Sequence, residues 1–198
     1  MPTPRPWAPS PEQATKGLDT PKGNAFDYAI RLRKLGQAST RPGRGNGADP
    51  NRRSAIVKWV TREGAKTDRV ACPWLIKKFI DPDAEFLFVP KEQVLEVARR
   101  QSGKSFDTPG ADYTHRGNKC SFEVLIEEYR LADPVLRELA KIVHGADIEA
   151  DVHIVPQAAG LKAIADGFYL SCPDDHEKLR LEFPLYDALY AWCRRKSG

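Results

Sequence analysis

Hydrophobic and polar positions recur along the chain with two periods, and these periods predict its elements. β-branched and aromatic residues form two short runs, 56–61 and 85–90, which predict strands, and a short extended piece is expected at 105–108. Helical spacing of apolar residues predicts helices over about 71–80, 91–100, 118–131, 133–145, 155–170 and 175–196. The sequence therefore predicts an α+β fold, a mostly helical single domain with a small two- or three-stranded sheet.

Residues 1–54 differ from the rest of the chain in composition. They hold eight of the sixteen prolines, six of the fourteen glycines and ten Lys or Arg against four Asp or Glu, which gives a net charge of +6. Such a segment buries too little apolar surface to offset chain entropy. We expect a flexible basic leader over 1–54 and a folded domain over 55–198. An amphipathic run at 25–35 predicts a short helix that ends at Gly36 and docks on the core.

The net charge of +4 is therefore a property of the leader. Residues 55–198 carry 21 Lys or Arg against 23 Asp or Glu, a net charge of −2, and show no basic recognition helix, so nucleic acid is not expected as a partner of this chain alone. No segment has the length and apolarity of a membrane span, and no signal peptide is recognisable. We expect a cytoplasmic protein without membrane insertion, whose four scattered cysteines are reduced thiols.

Cys72 precedes a proline at the predicted start of a helix. If Pro73 occupies the first helical position, the sulfur of Cys72 faces unpaired backbone N–H groups, and with Arg69 nearby the pKa of its thiol would be lowered. This makes Cys72 a candidate catalytic residue, or part of an oxyanion site. The alternative is that Cys72 is a buried small hydrophobic residue and that Arg69 pairs with Asp68 or another carboxylate.

Two segments supply candidate metal ligands. His115 lies in a loop before a helix that carries Cys120, Glu123 and Glu127 on one face, and His144 and Asp147 lie three residues apart at the end of the next helix. Antiparallel packing of these helices would bring together His115, Glu123, His144 and Asp147. Such nitrogen and oxygen donors suit iron, manganese or zinc. The alternative is that His144 and Asp147 only stabilise helix ends.

Several ordered blocks resemble the ChrB-type chromate resistance family. They are KWVTRE at 58–63, DRVACPWLI at 68–76, EFLFVP at 85–90, YTHRG at 113–117, CSFE at 120–123 and IVHGAD at 142–147, and the resemblance covers about 56–195. It implies a bacterial cytoplasmic protein of chromate resistance, encoded with a chromate efflux transporter. Longer members carry a winged-helix or rhodanese-like domain, and residues 1–54 match neither.

Chromate is a tetrahedral dianion, which Arg side chains and backbone N–H groups at a helix start would hold. The expected oxyanion site comprises Arg62, Arg69, Cys72 and Arg116. Two functions follow as hypotheses: a chromate-responsive, metal-binding sensor or accessory factor to efflux, or an enzyme that uses a bound metal or the Cys72 thiolate to reduce chromate or detoxify reactive oxygen species. The sequence leaves a homodimer open.

Overall fold

The structure, a computed structural model, describes residues 56–197. Three short parallel strands form its sheet: β1 (Lys58–Arg62), β2 (Glu85–Val89) and β3 (Lys104–Ser105), in the order β2-β1-β3. β1 pairs with β2 from Lys58 opposite Glu85 to Arg62 opposite Val89. The middle of β1 is buried, as expected for a strand that has neighbours on both edges and is covered on both faces.

Six α-helices follow or separate the strands in this part of the chain. They are α1 (Thr67–Leu75), α2 (Val94–Arg100), α3 (Ser121–Glu128), α4 (Pro134–Asp147), α5 (Pro156–Ser171) and α6 (Asp175–Ser197). A π-helix (Ile76–Ile80) continues α1, and 3-10 turns (Lys91–Gln93 and Glu149–Asp151) precede α2 and follow α4. The predicted α+β class, mostly helical with a small sheet, is confirmed.

The start of α1 is where the sequence-based prediction is wrong. The pattern predicts a helix from 71 with Pro73 in its first turn, whereas α1 begins at Thr67 and holds Pro73 in its interior. Proline has no N–H for the carbonyl four residues earlier. Packing compensates for this missing bond, because α1 contacts α3, α4, α5 and α6 and its residues from Val70 to Cys72, with Trp74 and Leu75, are fully buried.

The start of α4 follows the sequence closely. Asp133 caps the helix by accepting a hydrogen bond from the Val135 N–H at 2.8 Å, and Pro134 occupies the first turn. Proline is well suited to that position because its missing N–H would have no partner there in any case. The other end of α4 carries His144 and Asp147, so this helix positions two of the candidate ligands.

Residues 1–55 lie outside the described residues, and with them the expected leader, its boundary at 54 and the run at 25–35. Among the helices that the structure describes, none combines the length and the apolarity needed to cross a lipid bilayer.

Candidate functional site

Three carboxylates converge on one imidazole nitrogen between the start of α1, the loop after β3 and the end of α4. The Nε2 atom of His115 lies 3.4 Å from Oδ2 of Asp68, 3.4 Å from Oδ1 of Asp107 and 3.2 Å from Oδ2 of Asp147. We call these four residues the His115 cluster. Because they come from distant parts of the chain, only the tertiary fold brings them together.

Local structure positions each member of the cluster. Asp68 lies in the first turn of α1, where the helix dipole favours a negative side chain. Asp107 lies two residues after the end of β3 and has a φ of +46°, a conformation that Asp tolerates better than most residues. The loop then turns back, since the Asp107 N–H donates to the Tyr113 carbonyl at 2.9 Å and the Tyr113 N–H donates to the Ser105 carbonyl at 3.1 Å. This return places His115 over the carboxylates.

The carboxylates and the imidazole change each other's pKa values. Hydrogen bonds to Asp107, Asp147 and Asp68 raise the pKa of His115 to about 12. Burial, followed by the charge of Asp147, raises the pKa of Asp68 to about 7. Burial also acts to raise the pKa of Asp107, but His115, Arg69 and Arg62 outweigh it and the net pKa is lowered. Near neutral pH, His115 is therefore an imidazolium held by its carboxylates.

Asp107 also joins the cluster to two arginines. Its Oδ2 atom lies 2.9 Å from Nη1 of Arg69 and 3.6 Å from Nη2 of Arg62, while its Oδ1 atom accepts a hydrogen bond from the Ser121 hydroxyl at 3.0 Å. Arg69 donates a second hydrogen bond to the Gly64 carbonyl at 2.9 Å. Asp107 is thus the shared acceptor that holds β1, α1 and α3 around the site.

Asp68 is the most deeply buried member, with its side chain only 1% exposed. Its Oδ2 atom accepts the Ser121 N–H at 2.5 Å, whereas its Oδ1 atom has no hydrogen-bond partner among the described residues. A buried polar atom without a partner costs about 1–3 kcal/mol. The Oδ1 atom of Asp68 is therefore a buried acceptor that a cation or a proton would satisfy.

A second group surrounds the other buried histidine. The Nδ1 atom of His144 lies 2.6 Å from Oε2 of Glu123, and its Nε2 atom lies 2.9 Å from Oδ2 of Asp151. One ligand atom from each of Cys120, Glu123 and His144 lies within 4.8 Å of the other two. We call Cys120, Glu123, His144 and Asp151 the His144 cluster. Burial acts to lower the pKa of His144, but the hydrogen bonds to Glu123 and Asp151 raise it by more, so the net pKa is raised.

The four predicted metal ligands therefore lie in two pairs. His115 and Asp147 belong to the His115 cluster, and Glu123 and His144 belong to the His144 cluster. The prediction that these residues bind a metal stays a prediction.

The four residues of the expected oxyanion site are dispersed. Arg62 and Arg69 meet at Asp107, but Arg116 pairs with Glu128 on the surface and donates to the Asp112 carbonyl at 3.2 Å. Cys72 lies inside α1 and is fully buried. Burial and the charge of Asp68 raise the pKa of its thiol well above the ordinary value, so the expectation of a lowered thiol pKa is wrong.

The predicted sites leave out Asp68, Asp107, Cys120 and Asp151, although Cys120 is placed on the same helix face as Glu123. The predicted helix begins at 71 and therefore leaves out Asp68, which the structure places in the first turn of α1. The position of Asp107 depends on a turn after a two-residue strand, and that of Asp151 on a 3-10 turn after α4, which hydrophobic periodicity does not reveal.

Comparison with known proteins identifies relatives. The model of the family described as ChrB, C-terminal domain, matches residues 59–193. Protein ChrB of Cupriavidus metallidurans is 37% identical over 134 residues, which is 67% of this chain and 40% of that protein. The chain thus spans well under half the length of this relative. No solved structure matches the chain.

Proposed function

The chain belongs to the ChrB C-terminal domain family. From this premise we propose that residues 56–197 bind a divalent metal ion and contribute to chromate resistance, either as an oxyanion-responsive sensor or as an accessory factor to chromate efflux. The observation that carries the proposal is the convergence of three carboxylates on Nε2 of His115. The orphaned Oδ1 atom of Asp68 in the same cluster supports it.

The donor set suits a first-row transition ion. Three carboxylates and one imidazole offer the oxygen and nitrogen ligands that Mn²⁺ and Fe²⁺ accept, and Zn²⁺ also binds such sets. In the metal-free protein the carboxylates hold a proton on His115. A divalent cation would replace that proton, since the same negative charges attract it more strongly.

Metal binding would also alter the charge available to an anion. In the metal-free cluster, the positive charges of His115, Arg62 and Arg69 face the side chains of Asp68, Asp107 and Asp147. With a divalent ion bound to three carboxylates, the ion and the two arginines would carry four positive charges against three negative ones, so the loaded site would be net positive. The side chain of Arg62 is 37% exposed, and its guanidinium can reach a tetrahedral oxyanion such as chromate or sulfate. We propose that oxyanion binding depends on the metal.

A metal-dependent enzyme that reduces chromate or detoxifies reactive oxygen species is the second candidate. It is favoured by the exposure of the His115 side chain, 42%, because a site open on one side leaves a bound ion a position for water or substrate. Consumption of chromate or superoxide by the metal-loaded protein, measured against the metal-free protein, separates this candidate from a sensor. The buried thiol of Cys72 is not part of it.

Calorimetric titration of the metal-free, full-length chain with Mn²⁺, Zn²⁺ and, without oxygen, Fe²⁺ tests the proposal. We expect binding with 1:1 stoichiometry at the His115 cluster for at least one ion, and at least a tenfold loss of its affinity in Asp68→Asn and in His115→Ala. The matched control is Asp166→Asn, which removes a carboxylate paired with Lys66 and Lys162 on the surface and should leave the affinity unchanged.

Two results would contradict the proposal. One is the absence of binding by all three ions in a protein that is folded by circular dichroism. The other is an affinity in Asp68→Asn and His115→Ala equal to that of Asp166→Asn.

A further inference from the structure

The His144 cluster contains a sulfur donor and lies beside the His115 cluster without sharing a residue with it. His144 is one helical turn before Asp147 on α4, and Cys120 directly precedes Ser121, whose N–H donates to Asp68. We propose that Cys120, Glu123 and His144 form a second metal site, for a thiolate-accepting ion of the Zn²⁺ class, and that Asp151 is a positioning residue for His144. This inference does not require the first site to bind a metal.

The two ring nitrogens of His144 differ in their roles: one would bind the metal and the other is held by Asp151. Nε2 faces Oδ2 of Asp151 at 2.9 Å, whereas Nδ1 faces Oε2 of Glu123 at 2.6 Å. A carboxylate on one nitrogen of a histidine holds that nitrogen protonated and turns the lone pair of the other nitrogen toward a metal. Asp151 therefore directs Nδ1 of His144 toward the space that Glu123 and Cys120 border.

The sulfur of Cys120 is placed by the start of α3. Cys120 is the N-cap residue, its side chain faces the backbone N–H of Glu123, and its own N–H donates to Oε2 of Glu123 at 3.0 Å. A backbone N–H and the positive end of a helix dipole both stabilise a thiolate over a thiol. Burial nevertheless raises the pKa of Cys120 far above its ordinary value, so the sulfur is a thiol until a cation replaces its proton.

The ligand atoms lie close enough together for one ion to bind all three. Bonds of about 2.0–2.3 Å to oxygen, nitrogen and sulfur place tetrahedral ligands about 3.3–3.8 Å apart. The three atoms of the cluster lie within 4.8 Å of one another, and the pair at 2.6 Å must move apart by less than 1 Å. Glu123 can make this adjustment because its side chain is partly exposed. The same opening leaves the fourth position to water.

The number of protons released on metal binding follows from this donor set. The metal forms a bond to sulfur as the S–H bond of Cys120 breaks, and that proton goes to solvent. Where His144 is protonated, the proton on Nδ1 is also released as the metal takes the nitrogen lone pair. No oxidant or reductant is required, because the oxidation states of sulfur and metal are unchanged. Binding should therefore release between one and two protons per ion.

Cobalt titration of the reduced, metal-free, full-length chain tests the proposal, since Co²⁺ replaces Zn²⁺ and reports sulfur ligands by a thiolate-to-cobalt charge-transfer band in the near ultraviolet. We expect this band in the wild type and its loss in Cys120→Ser. The control Cys172→Ser removes a thiol outside the cluster and should keep the band. Glu123→Gln should weaken cobalt binding at least tenfold, which provides a second variant should Cys120→Ser fail to fold by circular dichroism.

The positioning role of Asp151 has its own readout. Asp151→Asn should lower cobalt affinity about 10- to 100-fold while the charge-transfer band returns at saturating cobalt, whereas a merely structural role would lower the unfolding midpoint and leave the affinity unchanged.

The outcomes separate the two metal sites. A band that persists in Asp68→Asn and His115→Ala supports the second site even if the first binds nothing. A folded wild type without the band, or a folded Cys120→Ser that keeps it, overturns the inference and leaves the His115 cluster untouched.

Discussion

His115 is carried by a loop and faces solvent on one side, whereas the side chain of His144 lies on α4 and is only 8% exposed. Three carboxylates and, through Asp107, two arginines surround His115. His144 has two carboxylates and a thiol. Both histidines have a raised pKa, so the shift alone does not distinguish them. The donor types and the orphaned oxygen of Asp68 do distinguish them, and these two differences are the reason why we propose different ions for the two clusters.

The two clusters should differ most in what one carboxylate contributes to stability. Asp107→Asn leaves Arg62, Arg69 and His115 without their shared negative partner, and removing one partner of a buried ion pair costs about 3–5 kcal/mol. Asp151→Asn removes a carboxylate that is 43% exposed and leaves Glu123 as a partner of His144, so it should cost about 1 kcal/mol or less. Urea unfolding of the metal-free proteins measures both values. Equal costs would show that Asp107 does not hold the cluster together.

The next largest contrast is in the pH dependence of stability. The pKa of His115 is raised from 6.5 to about 12, so its stabilising contribution is fully present below about pH 6.5 and is lost as the pH rises toward 12. Because the His115 side chain is 42% exposed, solvent weakens its contacts with the carboxylates. We therefore expect His115→Gln to lower the free energy of unfolding by on the order of 1 kcal/mol at pH 6 and by less at pH 10. A cost that is constant from pH 6 to pH 10 would contradict the charged contact.

The fold could be predicted from the sequence more completely than the two clusters could. The class of fold and most helices follow from periodicity, and α4 begins where Asp133 and Pro134 predict. The residues His115, Glu123, His144 and Asp147 are recognisable as ligands by type, but their grouping depends on how α3 and α4 meet the loop after β3. The position of Cys72 was mistaken because the local pattern favours Pro73 in the first turn of a helix, whereas the structure holds Pro73 inside α1. The burial that compensates for its missing N–H there comes from the packing of distant helices, which the local sequence does not show.

A smaller effect is expected from the coupling of metal and anion at the His115 cluster. Sulfate should raise the unfolding midpoint of the metal-loaded wild type by a few degrees, on the order of 1 kcal/mol of binding linkage, and should have little effect without metal. Arg62→Gln should lose this response. Equal shifts with and without metal would contradict the coupling.

The smallest effect belongs to Arg116. Its pairing with Glu128 is exposed, so Arg116→Ala should change the free energy of unfolding by less than about 1 kcal/mol. It should leave the sulfate response of the metal-loaded protein unchanged, because Arg116 pairs with Glu128 on α3 and with the Asp112 carbonyl, whereas Arg62 and Arg69 pair with Asp107. If Arg116→Ala lost the sulfate response, Arg116 would belong to the oxyanion site after all, and the loop between β3 and α3 would have to move when sulfate binds.

The central claim is that the His115 cluster holds a divalent metal ion. It is tested most directly by crystals of the full chain grown with Mn²⁺, from which anomalous scattering locates the metal without reference to the protein atoms. We predict an anomalous peak among Asp68, Asp107, His115 and Asp147, absent in Asp68→Asn. Crystals grown with the same ion that show no peak at this cluster, or a peak that Asp68→Asn retains, would contradict it.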